Sequence, residues 1–254
     1  ENETPEYVVI ANRTSEHADT LKDLAALQFD GPVLVEKPLA NTPLSLPAQL
    51  SEKTFVAYNF RFHPLLNDLR NRLEGKEIVS VDGYAGEFLP HWRPERDYRE
   101  TYSAYREQGG GVLRDLSHEL DYLNWLLGGW SQGAALGGQF SQLQVDSDDV
   151  FILLLETEQC PAVTLHLNYL DRGPHRAIRV NTTDHTLEAN FTDETLSVDG
   201  ALISEYELER DATYRAEHEA ILNEEYDRLC TAEEALDVMD LIEAAGKSAT
   251  NHTF

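Results

Sequence analysis

The apolar pattern of this chain changes character once, near Glu77, and that change calls for two differently built sheets. Before it, short β-branched runs alternate with helical stretches. Residues 7–11 (Tyr-Val-Val-Ile-Ala) read as a strand. Thr14 or Ser15 is placed to cap a helix over 16–27, with leucines at 21, 24 and 27. Asp30-Gly31-Pro32 then turns the chain into a second apolar run at 33–35, and a third covers 54–58 after a segment punctuated by Pro43 and Pro47. Strands alternating with helices predict a parallel sheet. From Glu77 onward the stretches lengthen and alternate with period two, at 78–88, 149–158, 162–170, 177–182, 186–191 and 204–208. That pattern predicts a mostly antiparallel sheet. Between its first two strands lie a polar loop, 91–108, and a helical stretch, 113–127. Two helices close the chain, over 212–229 and 232–247, the second opened by Thr231 with Glu234 three residues on, as in a capping box. The expected fold class is α/β: a partial parallel sheet over 1–58, followed by an α+β domain over 59–254 with a large, open, mostly antiparallel sheet.

Charge narrows the partners. With 46 acidic against 20 basic residues the formal charge is −26, a surface that repels nucleic-acid phosphates and anionic lipid heads. No apolar run approaches the roughly 20 residues of a spanning helix. The start, ENETPEY, has neither the basic end nor the apolar centre of a signal peptide, so a cytoplasmic protein is expected. Cys160 and Cys230 are too few for a disulfide framework and lack metal-ligand spacing, which makes them unlinked thiols and leaves no metal site.

Three segments carry chemistry. In Val35-Glu36-Lys37-Pro38 a strand runs straight into a lysine, and ligands of open parallel sheets bind beyond the carboxyl ends of strands. Alone, such a lysine is most often the first solvated residue after a buried strand. In Gly109-Gly110-Gly111-Val-Leu-Arg-Asp115-Leu-Ser-His118-Glu-Leu-Asp121, three glycines allow close backbone approach. Asp115, His118 and Asp121 follow three apart on one helix face. Such a row can tune a histidine for proton transfer, or be an exposed polar face with a capping aspartate. The segment His91-Trp92-Arg93-Pro94-Glu95-Arg96-Asp97-Tyr98-Arg99-Glu100-Thr101-Tyr102 gathers arginines and rings that suit phosphate, carboxylate or sugar recognition, or hold a surface loop by local ion pairs.

Taken in order, Val-Leu-Val-Glu-Lys-Pro, then Tyr58-Asn59-Phe60-Arg61-Phe62-His63-Pro64, then Trp92-Arg93-Pro94 with Asp97-Tyr98-Arg99, then the glycine-led helix, resemble Gfo/Idh/MocA oxidoreductases. They are closest to the branch found with surface-polysaccharide and nucleotide-sugar pathways. The resemblance implies a Rossmann domain followed by the open-sheet domain, and hydride transfer between NAD or NADP and a sugar carbon. It makes Lys37, Asp115 and His118 the catalytic residues. His118, or Lys37 acting through it, takes the hydroxyl proton while Lys37 stabilises the developing oxyanion. In many relatives the histidine follows the aspartate by four residues, here by three. Asn12, His17, Glu36 and Lys37 would border the cofactor. Asn59, Arg61, Trp92, Arg93, Arg96, Tyr98 and Asp121 would line the pocket of a sugar or nucleotide sugar.

The family's strand, G-x-G-x-x-G turn and helix, which hold the pyrophosphate, have no counterpart among the 15 glycines. Residues 7–11 resemble the family's fourth strand, so the chain is expected either to be part of a protein of roughly 320 residues or to have the sheet edge at that strand covered by a partner, and to bind NAD(P) weakly or not at all. The alternatives are a sugar or nucleotide sensor, or an assembly protein, with the same fold. A homo-oligomer through the open sheet is expected in each case.

Overall fold

A computed structural model describes residues 5–251 of the chain. Residues 1–4, within the polar start, and 252–254 lie outside the described residues, and with them the outer ends of both expected domains. In chain order the elements are β1 (Val8–Ile10), α1 (His17–Ala26), β2 (Val33–Val35), α2 (Ala48–Ser51), β3 (Thr54–Val56) and α3 (Pro64–Leu73). Then follow β4 (Ile78–Gly86), α4 (Val112–Asp115), α5 (Ser117–Leu127), β5 (Trp130–Gly138), β6 (Val150–Thr157), β7 (Val163–Asn168), β8 (His175–Thr182), β9 (Thr186–Asn190), β10 (Thr195–Val198) and β11 (Ala201–Glu205). The chain ends in α6 (Ala212–Leu222), β12 (Cys230–Thr231) and α7 (Ala232–Asn251).

Two compact units form, one of Glu1–His63 with Glu209–Asp240, the other of Pro64–Leu208 with Leu241–Phe254. In the first, β1, β2 and β3 are parallel neighbours, with Val9 beside Leu34 and Leu34 beside Phe55, as the alternation of strand and helix predicts. The division differs from the expected one at residue 58 because the C-terminal segment supplies apolar surface that these strands need. Ala220, Ile221 and Leu229 pack with Leu34, Phe55, Ala57 and Phe62, and Tyr226 stacks on Phe55 at 5.0 Å. The two-residue β12 pairs antiparallel with β3, too short to leave a sequence pattern. Thr14 and Ser15 do not cap α1. They are taken up in a 3₁₀ turn, Thr14–Glu16, and the helix begins at His17 without a side-chain cap. The capping box of α7 forms as read: the Thr231 amide donates to Glu234 Oε2 at 2.8 Å, and the Glu234 amide to Thr231 Oγ1 at 3.2 Å.

The second unit holds an eight-stranded sheet in the order β11-β10-β9-β8-β4-β7-β6-β5, antiparallel except where β4 meets β7. Alternation explains its two faces. In β6, Phe151, Leu153 and Leu155 are buried while Ile152 and Leu154 stand exposed on the opposite face. Strand β5 escapes the sequence pattern because glycine replaces the alternating side chains: a Cβ at Gly137 would sit 2.4 Å from the Phe151 ring. The short β10 and the helix α3, which buries Leu65, Leu66, Leu69 and Leu73, are likewise unpredicted. Leu120, Leu123 and Leu127 of α5 are buried, and Glu119, fully buried, pairs with Arg176 of β8 at 2.7 Å. The two cysteines are buried and not joined in a disulfide. Among the described residues, no helix is long and apolar enough to cross a membrane.

Candidate active site

In the first unit, the expected cofactor residues cluster at the carboxyl ends of β1 and β2. The Glu36 amide donates to Ile10 O at 2.9 Å, Lys37 and Glu36 are half-buried, and the Lys37–Pro38 peptide is cis. Asn12 is exposed and donates to Thr20 Oγ1 at 3.0 Å. His17 is not exposed beside it. Its ring is buried, with Nδ1 3.2 Å from Leu39 O and Nε2 3.3 Å from Asn12 O, so it ties the loop after β1 to the segment after β2. Two of the expected pocket residues are also internal. Asn59 donates to Thr213 Oγ1 at 2.9 Å, and the Arg61 side chain, 2% exposed, reaches Glu234 Oε1 at 2.9 Å. Arg61 thereby fastens to the residue that caps α7.

The glycine-led segment shapes the second unit. Gly109 and Gly111 take φ of 88° and 119°, which disfavour any side chain, and a Cβ at Gly110 would come within 2.2 Å of Tyr102 O. The backbone therefore packs directly against the 101–104 loop. Asp148 holds the turn that follows, accepting from the Leu113 amide at 3.0 Å.

The helix expected over 113–127 is broken. Leu116 adopts φ −96°, ψ 33° between α4 and α5, so Asp115 ends one helix and His118 lies in the first turn of the next. The three-residue interval from Asp115 to His118 is therefore not a rung on one continuous face, as expected. Only His118 and Asp121 share a helix. Nor is the row an exposed polar face: Asp115 and Asp121 are buried, and His118 is half-buried.

Around Asp115 the loop and the sheet converge. Tyr169, at the end of β7, donates its hydroxyl to Asp115 Oδ2 at 2.6 Å, and Tyr102 hydrogen-bonds the same carboxylate. Burial, and then the Asp115 charge, push both tyrosine hydroxyls well above their ordinary range. They stay protonated and act as donors. Trp92 meets Tyr169 edge-on at 5.3 Å, and the positive charge of Arg93 acts on Tyr102. Leu89, Trp92, Arg93, Tyr98, Thr101 and Ser103 line a cleft, where the Trp92 Nε1 proton is buried with no acceptor among the described residues. Arg96 stays outside it and exposed. The sequence thus supplied Asp115, Trp92, Arg93 and Tyr98, and placed Tyr102 in the same arginine- and ring-rich segment without a role, but gave no sign of Tyr169. Tyr169 sits 54 residues after its partner, a separation no local pattern reveals.

A nicotinamide cofactor fits this chain at one end. Asn12, Glu36 and Lys37 offer polar groups where a parallel sheet holds its ligand. The pyrophosphate lacks a cradle among the described residues of the first unit: α1 opens on Glu16 with Asp19 in its first turn, and both repel phosphate.

One unit carries the eight-stranded open sheet and the other the smaller, partly parallel sheet. Residues 67–188 match the GFO/IDH/MocA C-terminal domain. No curated protein matches the sequence. The fold is similar to a putative NADPH-dependent oxidoreductase from Desulfitobacterium hafniense (TM-score 0.80, 18% identity, 99% of this chain and 80% of that one). It is also similar to UDP-N-acetylglucosamine 3-dehydrogenase GnnA from Acidithiobacillus ferrooxidans (0.76, 19%, 97% and 79%). A third likeness is to levoglucosan dehydrogenase in complex with NADH and levoglucosan (0.80, 17%, 98% and 79%). At such identities the likeness establishes the fold.

Proposed function

We propose that the protein is an NAD(P)-dependent oxidoreductase acting on a hydroxyl or carbonyl of a sugar or nucleotide sugar, and that residues 1–254 by themselves hold the cofactor weakly. The observation that carries this reading is the buried Asp115 carboxylate, served by two tyrosine hydroxyls beside a tryptophan and an arginine. Burying a carboxylate is costly, and a purely structural polar cluster would be replaced by apolar packing at little loss. Solved relatives of this fold that act on levoglucosan and on UDP-N-acetylglucosamine support the substrate class.

A bound nicotinamide supplies the acceptor or donor of hydride. The chain's residues manage the proton: its removal from the substrate hydroxyl is assigned to His118, stabilisation of the oxyanion to Lys37, and the charge around His118 to Asp115. In the opposite direction the same groups protonate the alkoxide. Trp92, Arg93 and Tyr98 are assigned to the sugar. Lys37 makes the reading testable. With saturating NAD⁺ or NADP⁺ and a panel of sugars and nucleotide sugars, turnover is expected and Lys37→Ala abolishes it. Titration with NADH is expected to show affinity weaker than micromolar, and a micromolar Kd would remove the weak-binding part of the proposal.

The acidic opening of α1 favours a second reading, a sugar or nucleotide sensor that binds without turnover. Saturable sugar binding with no turnover at any cofactor concentration selects it. In either case we assign the open sheet face to self-association. Leu136 and Ile152 are cross-strand neighbours and, with Leu154, are exposed there.

A further inference from the structure

A second cavity lies in the open-sheet unit and shares no lining residue with the cleft of Trp92 and Arg93. It encloses about 640 Å³ beside α4, the end of β5 and the last turns of α7. Arg106, Arg114 and Lys247 all line it. The protein has more than two acids for every base, and Lys247 pairs with Glu243 at 2.5 Å. Among the described residues neither the Arg106 nor the Arg114 guanidinium makes an ion pair or hydrogen bond, although both act electrostatically on Asp148, a third side chain of the lining.

Asp148 does not neutralise them. It is buried, its Oδ2 is committed to the Leu113 amide, and burial pushes its carboxyl up against the pull of that bond and of both arginines. Glu243, held by Lys247, and Thr250 also line the cavity, and Leu113, Phe151 and Ile242 supply its apolar wall. Two uncommitted guanidinium forks over an apolar wall, in a volume typical of small-ligand sites, match an anionic head on an apolar body. An overall charge of −26 repels anions at long range, so one held here is held by local groups.

We infer that this cavity is a binding site for a small organic anion, its phosphate or carboxylate held by Arg106 and Arg114 and its body lying on Phe151 and Ile242. The site is independent of hydride transfer, so its test needs no turnover. Phenyl phosphate and benzoate, titrated calorimetrically into the purified chain, share the apolar body and differ in the head. Saturable 1:1 binding of either is expected, and the tighter of the two identifies the head group. Arg106→Gln and Arg114→Gln are each expected to weaken it at least tenfold, while Arg210→Gln, at an exposed position in the other unit, leaves it unchanged. Arg106 is exposed, so its variant keeps the test open if Arg114→Gln fails to fold. Absence of saturable binding by both probes overturns the site. So does an affinity unchanged in both cavity variants, or one weakened equally by Arg210→Gln.

Discussion

The polar residues that the sequence singled out behave differently in the two units. In the parallel-sheet unit, His17, Asn59 and Arg61 turn inward and bind backbone carbonyls, a threonine and a helix-capping glutamate. In the open-sheet unit, Trp92, Arg93 and Tyr98 line one cleft, and Asp115 gathers tyrosines contributed by a loop and a strand. The same residue types are scaffold in one unit and a converging cluster in the other. A polar residue in a family motif therefore has two ways to matter, and burial with a committed partner distinguishes them.

The contrast breaks first at Asp115. If its carboxylate works in catalysis, Asp115→Asn lowers kcat/KM by about 10² to 10⁴, the usual range for losing a positioned acid–base group, with the fold intact by circular dichroism. An unchanged kcat/KM would make Asp115 scaffold like Arg61. Arg61 gives the opposite test. Removing a buried guanidinium that holds both Leu229 O and Glu234 leaves a cavity and a partly exposed carboxylate without its partner. Arg61→Ala is expected to cost about 3 kcal/mol in urea unfolding. If instead stability is retained and KM alone rises, Arg61 belongs to the pocket.

Much of the architecture was legible because burial writes periodicity into sequence. The parallel trio β1 to β3, the alternation of β6 to β9 and the capping box of α7 all follow from it. The break at Leu116 did not show, since the apolar positions 113, 116, 120, 123 and 127 continue in helical register across a one-residue change of ψ. Strand β5 was hidden for the reverse reason: at Gly133 and Gly137 close packing excludes the side chains whose alternation would reveal it. In the site, residues local to a motif could be read. Tyr169 and the Arg176–Glu119 pair depend on strand register, which fixes what lies opposite a helix only after the sheet has formed.

The smallest expected effect tests whether the Asp115 cluster is a single electrostatic unit. Tyr169→Phe removes one donor to a buried carboxylate, and a hydrogen bond to a charged group contributes about 1.5–3 kcal/mol, so a loss near 2 kcal/mol at neutral pH is expected. The pH dependence is more specific. Burial and Asp115 raise the Tyr169 hydroxyl above the value of about 10 that it has in the unfolded chain. Above pH 10 the unfolded state therefore releases a proton that the native state keeps. The stability from this group is complete below pH 10 and declines as pH rises past it. Each such tyrosine steepens the alkaline fall by about 1.4 kcal/mol per pH unit. Tyr102 and Tyr122 are raised as well, so the wild-type protein should lose stability steeply between pH 10 and its alkaline unfolding, and Tyr169→Phe should lessen that slope by one proton. An unaltered slope, measured by urea unfolding at successive alkaline pH values, would show that Tyr169 ionises freely. The carboxylate beside it would then be scaffold after all.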